Sequence, residues 1–146
     1  MNILVSQEIA SVCPGFVGAA VDARVHNTPY SAELWQEIHA LEDRLRQKLS
    51  TESLKEQSGI AATRRVYKAC GKDPSRYRPA SEQLIRRMLQ GKELYQIDTL
   101  VDLVNLASIA SAIASGASMP TSSWATPSLW ASDARENPMK ASDVGL

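Results

Sequence analysis

The sequence predicts a mixed fold of the α+β class, N-terminal strands followed by helices, from a change of hydrophobic period. Residues 16–26, FVGAAVDARVH, place Val17, Ala19, Val21, Ala23 and Val25 on one side of an extended chain, with Asp22, Arg24 and His26 on the other. From Ser31 the apolar residues recur at steps of three and four, the period of a helix.

A shorter strand, ILV at residues 3–5, precedes the first, and CPG at residues 13–15 reads as the turn between them, so the pair forms the edge of a sheet. The helix from Ser31 carries Leu34, Ile38, Leu41, Leu45 and Leu49 on one face, away from Glu37, Glu42 and Asp43. A second helix from about Gly59 spaces Ala62, Val66 and Cys70 four apart, and Gly71 supplies its left-handed stop. Pro74 and Pro79 each fix a backbone φ and bias the preceding residue away from helix, so DPSRYRP at residues 73–79 reads as a stiff extended connection. The helix after Pro79 gathers Leu84, Ile85, Met88 and Leu89 in one stripe, leaves Arg86 and Arg87 off it, and ends at Gly91. Thr99 and Asp102 have capping-box spacing ahead of LVDLVNLASIASAI, which is apolar on nearly every side and predicts a central helix covered by its neighbours. Beyond about Ala114 the chain is rich in Ser, Ala and Pro and has neither period. The domain is expected over residues 1–113, with a loosely ordered tail over 114–146.

A chain of 146 residues is long enough for one domain with its own core. Sixteen basic residues balance sixteen acidic ones, so a nucleic-acid role must rest on a local patch rather than on net charge. The two cysteines, the absence of a basic and apolar leader at the start, and the lack of a membrane-length apolar run point to a cytoplasmic protein that does not enter a membrane. Cys13, His26, His39 and Cys70 lack the close spacing of zinc ligands, and buried thiols and half-exposed imidazoles are the preferred reading. No glycine loop of the Walker or dinucleotide type is present. Neither a metal nor any other cofactor is expected.

The charge is nonetheless uneven. Arg64, Arg65, Lys68, Lys72, Arg76, Arg78, Arg86, Arg87 and Lys92 are nine of the sixteen basic residues, all within residues 64–92. Guanidinium groups on a proline-stiffened connector are placed for phosphate oxygens, and Tyr77 between two arginines is placed to stack on a base. The competing reading is that these arginines pair with Glu82, Glu93 or Asp73, or face water.

Residues 64–109 resemble the B3/B4 domain of the phenylalanyl-tRNA synthetase beta chain, in the free-standing form of small bacterial proteins. The likeness lies in G-x-D-P-S-R-Y-R-P from Gly71 to Pro79, S-x-x-x-x-R-R from Ser81, the stop at Gly91 and Lys92, and V-D-x-V-N ending at Asn105. PGFVGAAV also fits the family's opening, which extends the resemblance over roughly residues 3–110. It implies an α+β fold that binds tRNA, and the basic block read above then makes Arg76, Tyr77, Arg78, Arg86 and Arg87 the expected tRNA-contacting residues. It also implies an editing site that hydrolyses tyrosine wrongly attached to the phenylalanine tRNA, by a second-sieve pocket with a polar group for the tyrosine hydroxyl. Asn105 matches the family's pocket asparagine and is the candidate catalytic residue; its alternative role is a helix-core amide bonded to backbone.

Family members continue with further strands and a glycine-rich segment that complete sheet and pocket, and this chain departs from them beyond Ile113. Shifting the reading frame by one base fixes four codons of the tail. The junction of Met119 with Pro120 then gives Ala, those of Trp124 with Ala125 and Trp130 with Ala131 give Gly, and that of Met139 with Lys140 gives Glu, as in family-like sequence. The expectation is therefore a frameshifted tail from Met119 to Leu146, an incomplete sheet whose edge invites self-association, and little hydrolysis of mischarged tRNA. The contrasting expectation is a small non-catalytic interaction module whose basic face binds a protein or RNA partner.

Overall fold

The structure is a computed structural model and describes residues 4–117. The chain divides into two units, Met1–Ala20 with Ser118–Leu146 and Val21–Ala117. In the first, α1 (Gln7–Val12) is a helix of under two turns that buries none of its side chains; Ser6 caps it by accepting from the Ile9 N–H. The expected frameshift tail, Met119 to Leu146, and Ile3 of the first expected strand lie outside the described residues.

The second unit is helical: α2 (Ala32–Lys48), a 3-10 turn (Ser53–Glu56), α3 (Ser58–Ala69), α4 (Ala80–Leu89) and α5 (Thr99–Ser111). The expectation of an α+β fold is thus corrected, because no strand or sheet occurs among the described residues. Residues 16–26 alternate as read, yet Val17 and Val21 are 89% and 91% exposed. Alternation makes one face apolar, but a strand persists only where a neighbour accepts and donates along its ladder, and none does so among the described residues. The sheet edge expected to invite self-association is not found among the described residues.

Asn27 and Thr28, just past that segment, have a definite task, since the first four N–H groups of a helix lack partners within it. At α5 the Thr99 N–H donates to the Thr28 carbonyl at 2.9 Å and the Leu100 N–H to Asn27 Oδ1 at 3.0 Å. The Val101 N–H donates to Asp98 Oδ1 at 2.9 Å and the Asp102 N–H to the Asp98 carbonyl at 2.9 Å. The donors of residues 99–101 are thus satisfied from outside the helical ladder, which the Asp102 bond opens. Asp98 rather than Thr99 is the cap, and the Val101 bond holds its carboxyl below the usual range. Asp102, expected in a capping box, instead turns inward, 1% exposed, and accepts from Trp35 Nε1 at 2.8 Å and from the Ile97 N–H at 3.3 Å.

The helix starts and stops elsewhere agree with the sequence. Ser31 caps α2, which contributes Trp35 and Ile38 to the core with Leu34, Leu41, Leu45 and Leu49 packed beside them. Gly71 and Gly91 both have φ +73°, the left-handed conformation that glycine adopts without strain. At each, two backbone bonds close a Schellman motif: Lys72 to Tyr67 with Gly71 to Lys68, and Lys92 to Arg87 with Gly91 to Met88.

The centre is α4, not α5. Leu84, Ile85 and Met88 enter the core with Leu54, Ile60 and Ile109, and α4 packs on α2, α5 and the 3-10 turn. The apolar α5 buries only Asp102, Ser108 and Ile109, and leaves Leu103 half exposed beside Ala107 and Ala110. Uniform hydrophobicity does not place a helix inside; neighbours do, and α4 has them on more sides. At the far end of α5 the chain leaves through Ala112 at φ 56°, with its carbonyl so close to α3 that a Cβ on Gly59 would lie 2.6 Å from it.

Two substitutions test this closure by urea unfolding. Gly59→Ala is expected to destabilise through that clash. Ala112→Gly is expected to stabilise by about 0.5–1 kcal/mol, left-handed strain relieved less the entropy glycine loses. A neutral Gly59→Ala would contradict the packing.

Candidate nucleic-acid interface

The basic block lies on the connection between α3 and α4 and on α4 itself. Residues 73–79 are not extended throughout, as their prolines suggested: residues 74–77 wind into a tight turn, and only the end of the segment, with Pro79 at φ −55° and ψ 146°, is extended. Asp73 organises it: its carbonyl accepts from the N–H groups of Arg76 at 3.1 Å and Tyr77 at 2.9 Å, and its Oδ1 accepts from the Ser75 N–H at 2.8 Å. Proline at the second position of such a turn arrives with its φ already set, which is the stiffness the sequence does encode.

Beneath the turn sits Glu82, in the first turn of α4 and 0% exposed. A carboxylate withdrawn from water is tolerated only with charged and hydrogen-bonded partners. Arg64 of α3 supplies the first: its Nη1 lies 3.0 Å and 2.9 Å from the two Glu82 oxygens and also donates to the Pro74 carbonyl at 3.0 Å. Its Nη2 reaches Ser75 Oγ at 3.5 Å. Arg86, one helical turn beyond Glu82, adds a longer contact of 3.4 Å. One carboxylate therefore fixes α3, α4 and the turn to one another through arginine.

The expected tRNA-contacting residues separate accordingly. Arg86 is directed at Glu82, in line with the competing reading of the charge pattern. Arg87 donates through Nε to the Glu93 carbonyl at 2.6 Å and lies over the Tyr95 ring with 4.1 Å from its Cζ to the centroid. Arg76, Tyr77 and Arg78 are exposed, and neither Arg76 nor Arg78 has an ion pair among the described residues. Lys72 Nζ and Arg76 Cζ lie 5.5 Å and 5.4 Å from the Tyr77 centroid, so the ring is flanked by two cations. Arg65 and Lys68, three residues apart on α3, extend the exposed positive surface. Burial pushes the Tyr67 phenol up, so this half-buried ring stays neutral and the charge belongs to lysine and arginine.

Asn105 stands apart from this surface. It is half-buried on α5 and makes no side-chain hydrogen bond among the described residues, so the backbone-bonded alternative is not what the structure contains. No group of three or more histidine, cysteine, aspartate or glutamate side chains among the described residues is disposed to hold a metal ion, and no described helix is long and apolar enough to cross a membrane. Sequence reasoning missed the bracing role of Arg64 and the contact of Arg87 with Tyr95. A tyrosine four residues after a helix-stopping glycine was the available signal for the latter.

Glu82→Gln is expected to destabilise the chain by about 3–5 kcal/mol in urea unfolding, since two arginines lose a buried partner. Replacing Arg64 and Glu82 together by methionine is expected to cost less than Glu82→Gln alone; a larger cost would contradict a buried pair. Compared with known proteins, the chain matches no family, no curated protein and no solved structure.

Proposed function

We propose that this chain binds tRNA through the turn at residues 72–78 and does so without hydrolysing its ester. The observation that carries the reading is the pair of cations, Lys72 and Arg76, over the exposed Tyr77, with the exposed Arg78 next in the chain, on a turn braced from beneath by Arg64. Cations held in place lose little freedom when they meet phosphate, and an exposed ring offers a face to a base. The resemblance of residues 64–109 to the B3/B4 domain supports tRNA as the ligand. Binding without editing is supported by Asn105, which has no polar partner that would orient it for a reacting group, and by the absence of sheet among the described residues.

A second reading has one observation in its favour. The outer face of α5, with Leu103 50% exposed beside Ala107 and Ala110, suits an apolar protein partner. Salt separates the two, because phosphate contacts weaken steeply with ionic strength and apolar docking does not.

Titration of unmodified tRNA at a series of salt concentrations is expected to give a log–log slope that flattens by about 0.7–0.9 for each cation removed from Lys72, Arg76 and Arg78 by alanine. Salt-independent affinity, or an unchanged slope in the triple variant, would overturn the reading. Mistakenly charged tyrosyl-tRNA is expected to lose its amino acid no faster with the protein than without it; rapid deacylation would restore an editing role.

A further inference from the structure

Tyr77 is not the only tyrosine beside an arginine here. At the other end of α4, Gly91 turns the chain back, and the Lys92 N–H donates to the Arg87 carbonyl at 3.1 Å. Leu94 then packs against the core, while the next residue, Tyr95, is 52% exposed. Adjacent residues of an extended segment point to opposite sides, so anchoring Leu94 inward presents Tyr95 outward. Arg87 completes the arrangement: its guanidinium lies over one part of the ring at 4.1 Å while Nε is tied to the Glu93 carbonyl. The side chain most able to wander is held at both its ring contact and its backbone bond.

We infer that Tyr95 with Arg87 is a second RNA-contacting platform, and that the ligand is an unpaired strand running along α4 between Tyr95 and Tyr77. This rests on the RNA reading above and adds to it a residue and a class of ligand. A duplex keeps its bases stacked on one another and offers side chains only edges and phosphates, whereas an unpaired strand offers faces that tyrosine and arginine planes receive. Two such platforms suit the second. The helix between them has ten residues, about 15 Å, which spans roughly four or five stacked nucleotides at 3.4 Å each. Along it Gln83 is exposed and Arg87 half-exposed, polar side chains one helical turn apart on the same side of α4.

The test is a fluorescence-anisotropy titration with an unstructured oligoribonucleotide of about ten nucleotides and with a blunt RNA duplex of the same length. The full chain is compared with Tyr95→Leu, Tyr95→Phe and Tyr77→Leu, each checked for an unchanged helical circular dichroism spectrum. The single strand is expected to bind more tightly than the duplex. Tyr95→Leu is expected to weaken it roughly tenfold, the effect of one lost stacking contact, with the salt slope unchanged, and Tyr95→Phe to retain most of the affinity. Equal affinity for duplex and single strand, or Tyr95→Leu within about twofold of the unmodified chain, overturns the inference while salt-dependent tRNA binding survives. Loss of salt-dependent binding to tRNA itself overturns both.

Discussion

The second unit is organised around a carboxylate with no access to water. Glu82 is held by Arg64 at 2.9 Å and 3.0 Å and by Arg86 at a longer distance, and it stands at the start of the helix that the rest of the core packs on. Burying such a charge is costly, so the arrangement does not maximise stability; replacing it with well-packed apolar residues would often do as well. What it does provide is geometry. A guanidinium is a planar fork, and once Arg64 meets Glu82 its remaining reach falls on the Pro74 carbonyl and Ser75 Oγ. The turn is therefore positioned by the core rather than by its own residues alone.

This divides the positive charge into two populations that a count of residues merges. Arg64 and Arg86 are committed to Glu82, and Arg46 to Glu42 and the Met88 carbonyl at the end of α4. Lys72 and Arg76 lie over Tyr77, the exposed Arg78 follows it in the chain, and Arg87 covers Tyr95. The first group sets where the second stands. A neutral chain can hold a local positive surface in this way, because Arg76 and Arg78 face water without an ion pair among the described residues.

The helices are legible in the sequence because their signals are local. Leu34, Ile38, Leu41 and Leu45 repeat with the right period, Ser31 caps, and Gly71 and Gly91 adopt the conformation that only glycine takes without strain. The strands are not, because alternation over residues 16–26 specifies a face, while a strand also needs a partner, and partners are not written in the segment itself. The same reason explains α5: its composition suggests the centre, but burial is set by neighbours, and α4 is better surrounded. At the site, the tight turn is hidden behind prolines that fit either an extended or a turning chain. The pairing of Arg86 with Glu82 is one of the two readings its charge pattern allows. That of Arg64 joins positions eighteen apart in the chain, a separation at which spacing carries no information.

The measurement closest to the central claim is amide hydrogen exchange at Ser75, Arg76 and Tyr77, whose N–H groups all donate to Asp73. These amides lie in an exposed turn and bond only within it, so a change in their protection when Arg64 is altered reports the bracing from below. They are predicted to exchange slowly in the unmodified chain and to lose protection in Arg64→Lys, while the amides of Ile85 and Met88 in α4 stay protected. Equal exchange at the turn in both proteins would contradict the bracing, because the turn would then hold its shape without the Arg64 guanidinium.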